Sequence, residues 1–395
     1  ATWSAPLAYD LETYATNQAV NVSTETLEEA PAFPSGVSNP EASYAFVIDW
    51  QQRFAPKALA MLWEKDYQVR TAIKPFNDGF RDYSRGSLIV LIGRNQQTTE
   101  EVQADMQEIA EAAQVQIVGM NTGRMASGID LSSRDSETLL KPKAAMLVDP
   151  PFSVYTAGQL WFLFDRDTEF PISRVRGTTL RQTSLPKLGR RYGLAELQDY
   201  DVLLLPGANN MEEVFADEGL EALKDWVNAG GTLIATEDAA PYFTEGRSGF
   251  TNVKMVDADP DSTETAKYLR YEDRQNYYGW KRIPGSALNV TLDDSHPLAF
   301  GLDDHVYSIK FDNDALLADP GLQTVGYYER NPEQLKASGY VSQDNLQKLA
   351  GHVFAAVKPM GQGRVVFLLD NTQYRMFWRG PSRMVQNAVM LLPGL

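Results

Sequence analysis

The chain contains no cysteine and only three histidines in 395 residues. The first absence excludes disulfides, thiolate nucleophiles and cysteine–zinc sites. The second leaves few places for an imidazole base or a histidine-rich metal centre. Basic residues are also scarce, with 36 Lys and Arg against 52 Asp and Glu and a net charge of −16. A protein that tracks phosphates needs a basic face, so nucleic acid is not an expected partner. The same charge opposes binding to anionic lipid surfaces. No apolar run approaches the ~20 residues needed to cross a bilayer, so no membrane insertion is expected. The opening Ala1–Pro6 has neither the basic start nor the apolar core of a signal peptide.

What is present is an ordinary globular composition, 43% hydrophobic and 22% charged, in a chain long enough for two or three domains. Residues 1–40 carry Pro6, Pro31, Pro34 and Pro40 with little periodicity and read as a leading segment or linker. Residues 41–140 read as a small α/β domain. Its expected strands are Tyr44–Ile48, Gln68–Ile73, Leu88–Ile92 and Val115–Val118. A helix is predicted over Phe54–Glu64 and another over Thr99–Ala113, the latter with Val102, Met106, Ile109 and Ala113 on one face and Thr98 or Thr99 as N-cap. The polar, turn-rich stretch 121–141 makes the domain boundary.

Residues 141–395 alternate in the same way. Strands are predicted at Lys143–Val148, Ile172–Val175, Val202–Leu205 and Leu233–Ala235. Helices are predicted at Ala157–Phe164 and Glu218–Asn228, the second closed by Gly230 and Gly231. That order implies a doubly wound, mostly parallel sheet. Beyond residue 250 the pattern becomes irregular and β-rich. A hairpin is expected around Pro359–Gly363, and a last helix over Ser382–Leu391.

The segments Tyr200–Pro206, Leu223–Val227, Gly230–Ala235, Ser295–Leu298 with Gly301 and Leu302, and Gly361–Val365 together resemble the class I glutamine amidotransferase-like superfamily. The resemblance implies a flavodoxin-like sheet with a cysteine on the sharp turn after Leu233–Ala235. That turn here carries Thr236, Glu237 and Asp238. Without a thiol, glutaminase chemistry is excluded, and a hydroxyl at Thr236 needs an adjacent base to replace it. A narrower resemblance covers most of the chain. Thr2–Tyr9, Ser43–Val47, Gly86–Val90 and Gly128–Leu131 are similar to the region that follows the catalytic domain in large bacterial zinc carboxypeptidases of the carboxypeptidase A-like family. That resemblance implies a non-catalytic accessory region that scaffolds, recognises substrate or mediates assembly. Its partner would be an upstream catalytic domain of the same protein, with peptide or glycan as substrate and a periplasmic or extracellular location. Zinc is then expected only in the upstream domain. Neither His296, His305 nor His352 is followed by Glu three residues on, so the family's zinc ligands have no counterpart in this chain.

Several places could carry chemistry. In the pseudo-active-site crevice, Glu237 and Asp238 are either acid–base groups or carboxylates at the positive end of a helix. Gly207 and Ala208, in the turn after Val202–Leu205, face the same crevice and could offer backbone amides to an anion. Asp293, Asp294, His296, Asp303, Asp304 and His305 cluster within thirteen residues. Their spacing matches no zinc or calcium template, and a structural turn is the expected reading. Tyr277, Tyr278, Trp280, Lys281 and Arg282 form an aromatic and basic group suited to an interface or a sugar or peptide ligand. A second such run is Tyr374–Arg379. The expected sum is a chain with no catalytic residue, metal or cofactor of its own. The alternatives are a self-standing hydrolase using Glu237 and Asp238, or a glycan- or peptide-binding module.

Overall fold

The computed structural model describes residues 4–176, 197–215, 217–257 and 267–395. The chain divides into two compact units. One comprises Ala1–Tyr9, Pro142–Asp165 and Pro171–Pro393, the other Asp10–Lys141, Arg166–Phe170 and Gly394–Leu395. Thr2 and Trp3, which open the carboxypeptidase-like resemblance, lie outside the described residues.

The smaller unit is built on a six-stranded mixed sheet. Its strands are β1 (Gly36–Ser38), β2 (Ala45–Ile48), β3 (Arg70–Ala72), β4 (Leu88–Leu91), β5 (Gln116–Met120) and β6 (Ser136–Thr138), in the order β1-β5-β2-β4-β3-β6. Only β1 pairs in parallel, with β5. The central β2 and β4 are buried along their whole length, as unbroken Ala-Phe-Val-Ile and Leu-Ile-Val-Leu runs demand. Helices α1 (Ala55–Glu64) and α2 (Thr99–Ala113) accompany the sheet. In α2 the expected apolar stripe is buried, and Thr98 and Glu101 close a reciprocal capping box. The polar stretch 121–141 contributes β6 and, at Ser127–Gly128, one strand of a small three-stranded sheet. Its inward residues Ile129 and Leu131 join the core of this unit.

The larger unit carries one long sheet. Its first five strands in space are parallel: β7 (Ala144–Leu147), β8 (Ile172–Val175), β9 (Val202–Leu205), β10 (Thr232–Thr236) and β15 (Gly363–Leu368). They lie in the order β8-β7-β9-β10-β15. Numbered along the chain, that order is 2-1-3-4-5, the flavodoxin-like doubly wound arrangement. Strands β7, β9 and β10 are wholly buried. Their near-continuous apolar sequences fit strands covered on both faces. Helix α3 (Val154–Phe162) follows β7, and helix α4 (Asp217–Asn228) precedes β10. Ser153 caps α3 by accepting from Thr156 N, so the helix begins three residues before the expected Ala157.

The β-rich stretch beyond residue 250 continues the same sheet. Strands β11 (Ser286–Leu292), β12 (His305–Lys310), β13 (Gln323–Tyr328) and β14 (Val353–Met360) add antiparallel neighbours in the order β15-β14-β13-β11-β12. The β14–β15 hairpin keeps Pro359 and Met360 in its ladder and turns at Gly361 and Gln362. Gly361 has φ +58°, and a Cβ there would meet Asn228 O at 2.5 Å. The last helix, α6 (Ser382–Met390), is buried at every position. Its Asn387 amide donates to Leu298 O at 3.0 Å and Phe300 O at 2.8 Å, tying the helix to the His-Pro-Leu turn. The leading residues also reach this unit, where Ala8 O accepts from Arg379 N and Gly380 N.

Candidate functional site

In doubly wound sheets, ligands bind outside the carboxyl ends of the parallel strands. A cleft of about 540 Å³ opens there, within the range of small-molecule sites. Ser153, Tyr155, Thr156 and Gln159 enter it from the start of α3, directly after β7. Glu237 and Asp238 come from the turn after β10, and Leu369, Asp370 and Asn371 from the end of β15. Ile309 on β12 and the following Phe311 and Asp312 close one side, with Tyr374 and Arg375 beyond Asn371.

The turn after β10 is the one at which the sequence resemblance expects a cysteine. Glu237 is its first residue, with φ +48° in the left-handed region. A non-glycine residue in that conformation is strained, and such strain collects at functional sites. Thr236, the last residue of β10, is buried and donates to Leu205 O at 3.0 Å. It ties two strands together and takes no part in the cleft. After Thr236 the chain continues as a 3-10 helix over Glu237–Phe243 with both carboxylates in its first turn. Thr236 is the N-cap residue, and no side chain makes a capping hydrogen bond there.

Glu237 is half-buried, and its Oε1 is enclosed with no hydrogen-bond partner in the protein. Burial pushes its carboxyl up from 4.5 to about 7. Hydrogen bonds from Thr156 and Asn371 to the carboxyl pull the other way, and the charges of Asp238 and Asp312 push it further up. Asp238 is also held above the usual carboxylate range, by burial and by Asp312 and Asp314. Gly207 and Ala208 are buried behind this turn and do not line the cleft. A Cβ on Gly207 would stand 3.1 Å from Glu237 Cβ and 3.4 Å from Oε2. The bare glycine is what lets the carboxyl lie against the β9 turn. The place predicted to offer amides to an anion is thus taken by a carboxylate of the protein itself.

Behind the cleft wall lies a charged network. Lys310 Nζ, wholly buried, bonds Asp370 Oδ1 at 2.8 Å and Asp312 Oδ1 at 2.6 Å. Tyr328 OH lies 2.9 Å from both Asp370 oxygens, and Ser308 Oγ donates to Oδ2. Burial alone would lower the Lys310 pKa, but Asp312 and Asp370 outweigh it and hold the ammonium charged, well above its ordinary value. A buried ion pair survives desolvation when its remaining lone pairs and protons are satisfied in this manner. The network fixes Asp312 and Asp370 at the edge of the cleft.

Of the other sequence candidates, Tyr277, Tyr278, Trp280 and Lys281 lie on helix α5 (Tyr271–Lys281), with Arg282 as its C-cap. None of the helix is buried, and Trp280 is 70% exposed. Lys281 Nζ stands 5.0 Å from the Tyr277 ring. These side chains are therefore not cations laid over core aromatics. The run Tyr374–Arg379 divides. Tyr374 and Arg375 line the cleft, while Trp378 is buried and donates to Tyr307 O at 2.7 Å. His296 caps the Pro297–Ala299 turn through Nδ1, which accepts from Leu298 N at 3.1 Å, and burial lowers its pKa. Among the described residues, no group of three or more His, Asp or Glu is arranged to hold a metal.

Sequence reasoning missed Tyr155, Thr156, Gln159, Phe311, Asp312, Asp370 and Asn371. One signal pointed to Asp370 and Asn371. They are the first polar residues after the apolar strand Val365–Leu369, the position at which parallel strands present ligand-binding side chains. Asp312 comes from an antiparallel strand and carries no comparable mark.

Fold and site together define a doubly wound α/β protein of the flavodoxin-like type, with Glu237 and Asp238 on the turn after β10. The assignment rests on the 2-1-3-4-5 strand order. No protein-family model and no curated protein matches the chain. Among solved structures it is similar to a protein described as ThuA-like from Bacteroides uniformis ATCC 8492, at 10% identity over 62% of this chain and 89% of that chain, with TM-score 0.35. A cytoplasmic protein from Salmonella typhimurium is similar at 16% identity over 62% and 97% of the two chains, with TM-score 0.37. A protein described as a GMP synthase component from Thermoplasma acidophilum is similar at 11% identity over 63% and 92%, with TM-score 0.34.

Proposed function

We propose that this chain is a recognition module in which an amidotransferase-like fold has given up nucleophilic chemistry and kept its crevice as a binding site. The observation that carries this reading is Glu237, which follows β10 where the sequence resemblance expects a nucleophile, lines a cleft of about 540 Å³ and keeps one enclosed oxygen without a partner. A carboxylate there can hold a ligand but is not a thiol equivalent for acyl transfer. In its finer form the reading makes the module an accessory to a hydrolase, with the zinc carboxypeptidase-like domain of the sequence resemblance as its partner and peptide or glycan as the shared substrate. The test is a thermal-shift screen of the purified chain against peptides, sugars and amines. A ligand that binds only the native state at a hundredfold excess over its Kd adds ~2.7 kcal/mol of stability. The expected result is a hit that Glu237→Gln weakens. Stoichiometric zinc together with carboxypeptidase activity in the purified chain would overturn the assignment of the chemistry to a partner.

A second reading is favoured by one observation, the Glu237 carboxyl raised to about 7. A general acid or base works best with a pKa near the operating pH. In this reading the chain hydrolyses its ligand, with Glu237 passing the proton. A pH–rate limb near 7 that vanishes in Glu237→Gln would support it, and binding without turnover of any ligand would sink it.

A further inference from the structure

We infer that the Glu237 crevice takes a ligand carrying a protonated amine, which seats between the crevice carboxylates and its aromatic rim. The inference rests on the recognition reading above and specifies its ligand class. Four observations support it.

The first is the enclosed Oε1 of Glu237, which has no donor in the protein. A buried acceptor left unsatisfied is costly. Thr156 and Asn371 bond the same carboxyl, and Asn371 Nδ2 also donates to Gln159 Oε1 at 3.0 Å, so Oε1 of Glu237 itself is left over. The half-buried side chain lines the cleft, and turning it outward brings Oε1 to an N–H donor of a ligand. The second is charge. Glu237, Asp238, Asp312 and Asp370 line the cleft, while the wholly buried Lys310 ammonium is bonded to Asp312 and Asp370 behind the wall. Arg375 is the lining cation, and its guanidinium lies 5.1 Å from the Tyr374 ring. A ligand anion would meet like charge from three elements of the fold, and a cation finds an attractive field.

The third is the rim. Phe311 and Tyr374 hold their rings 4.9 Å apart at 47°, and Tyr155 at the start of α3 is 80% exposed. Aromatic faces beside carboxylates are the chemistry that recognises ammonium groups. The fourth is an internal precedent. The protein already holds one ammonium in this way, with Lys310 Nζ between Asp312 and Asp370 and 5.6 Å from the Tyr328 ring. A neutral polyol could bond the same carboxylates but would draw nothing from the field.

The experiment titrates the full chain with cadaverine, ethanolamine and L-lysinamide. Glucose, glycerol and acetate serve as the neutral and anionic set. Melting temperature and isothermal calorimetry are read at pH 7.5 and low salt. The expected result is saturable binding of the amines alone, weakened about tenfold by Glu237→Gln, as loss of one charge-assisted hydrogen bond implies. Asp238→Asn, which keeps the side-chain shape at a solvent-reachable position, is expected to weaken the amines by a smaller factor. Phe311→Ala is expected to lower affinity for all three amines together. Binding of the neutral sugars as strong as that of the amines would overturn the ammonium assignment and leave the crevice reading standing. Silence from both sets would overturn both. Amine binding unchanged in Glu237→Gln and Asp238→Asn would place the ligand elsewhere and overturn the inference.

Discussion

Glu237 brings an energetic cost that a purely structural residue would not carry. Its carboxyl is raised from 4.5 to about 7 in the folded protein. Between those values the folded state binds more protons than the unfolded one, so stability falls as pH rises from 4.5 through 7. At about 1.4 kcal/mol per unit, the site costs the fold about 3 kcal/mol above pH 7.5. The raised Asp238 and Asp314 act in the same direction. Glu237→Gln removes the titrating group and keeps the side-chain shape. Urea unfolding at pH 5, 6, 7 and 8 should show the variant gaining about 1–3 kcal/mol over the parent at pH 8 and little at pH 5. A difference independent of pH would mean that Glu237 is not the group in question. The pairing of lost stability with an unpartnered oxygen is the usual sign of a group kept for binding or chemistry.

At the scale of elements, α6 shows how the sheet edge is secured. The helix is buried throughout, and the Asn387 amide is its polar link to the turn at Leu298–Phe300. Asn387→Ala leaves two buried carbonyls short of a donor and opens a small void. The expected loss is about 1–3 kcal/mol, read as a lower urea midpoint with an unchanged slope. A neutral result would mean that water replaces the amide. Elements of this kind were legible in the sequence to different degrees. The strands β7, β9 and β10 announced themselves as short apolar runs between turn residues, and Thr98 with Glu101 marked the start of α2. Local patterning sufficed there because each run is buried on both faces or on one stripe. Strands β11 to β13 were read only as an irregular β-rich stretch, because their partners are fixed by pairing over long sequence distances and not by local period. For the same reason Glu237 and Asp238 were found and Asp312 was not. The first two follow a parallel strand whose end is a known ligand position, whereas Asp312 reaches the cleft through a topology that no local window contains. The run Tyr374–Arg379 was recognised as aromatic and basic, but its division into a cleft-lining half and a buried Trp378 depends on the left-handed backbone at Arg375 and Met376. Composition gives no hint of those two dihedrals.

At the scale of the whole molecule, the net charge of −16 acts on the fold and on the ligand in opposite senses. Excess like charge repels itself and opposes the compact state. The same field concentrates cations at an acidic crevice and keeps anions away. Raising the ionic strength from 0.01 M to 0.15 M shortens the screening length from about 30 Å to about 8 Å. Self-repulsion is then damped, so the melting temperature of the free protein should rise. The attraction between an ammonium ligand and the crevice is damped as well, so its affinity should fall. The two slopes therefore have opposite signs across one salt series, and a general effect of salt on protein folding would not produce that pair. The check is a series of melting curves with and without a saturating amine at four or five chloride concentrations. The expected pattern is a ligand-induced shift that shrinks while the baseline climbs. A shift that stays constant as the baseline climbs would mean that hydrogen bonds and ring contacts alone hold the ligand, with no part for the field of the molecule.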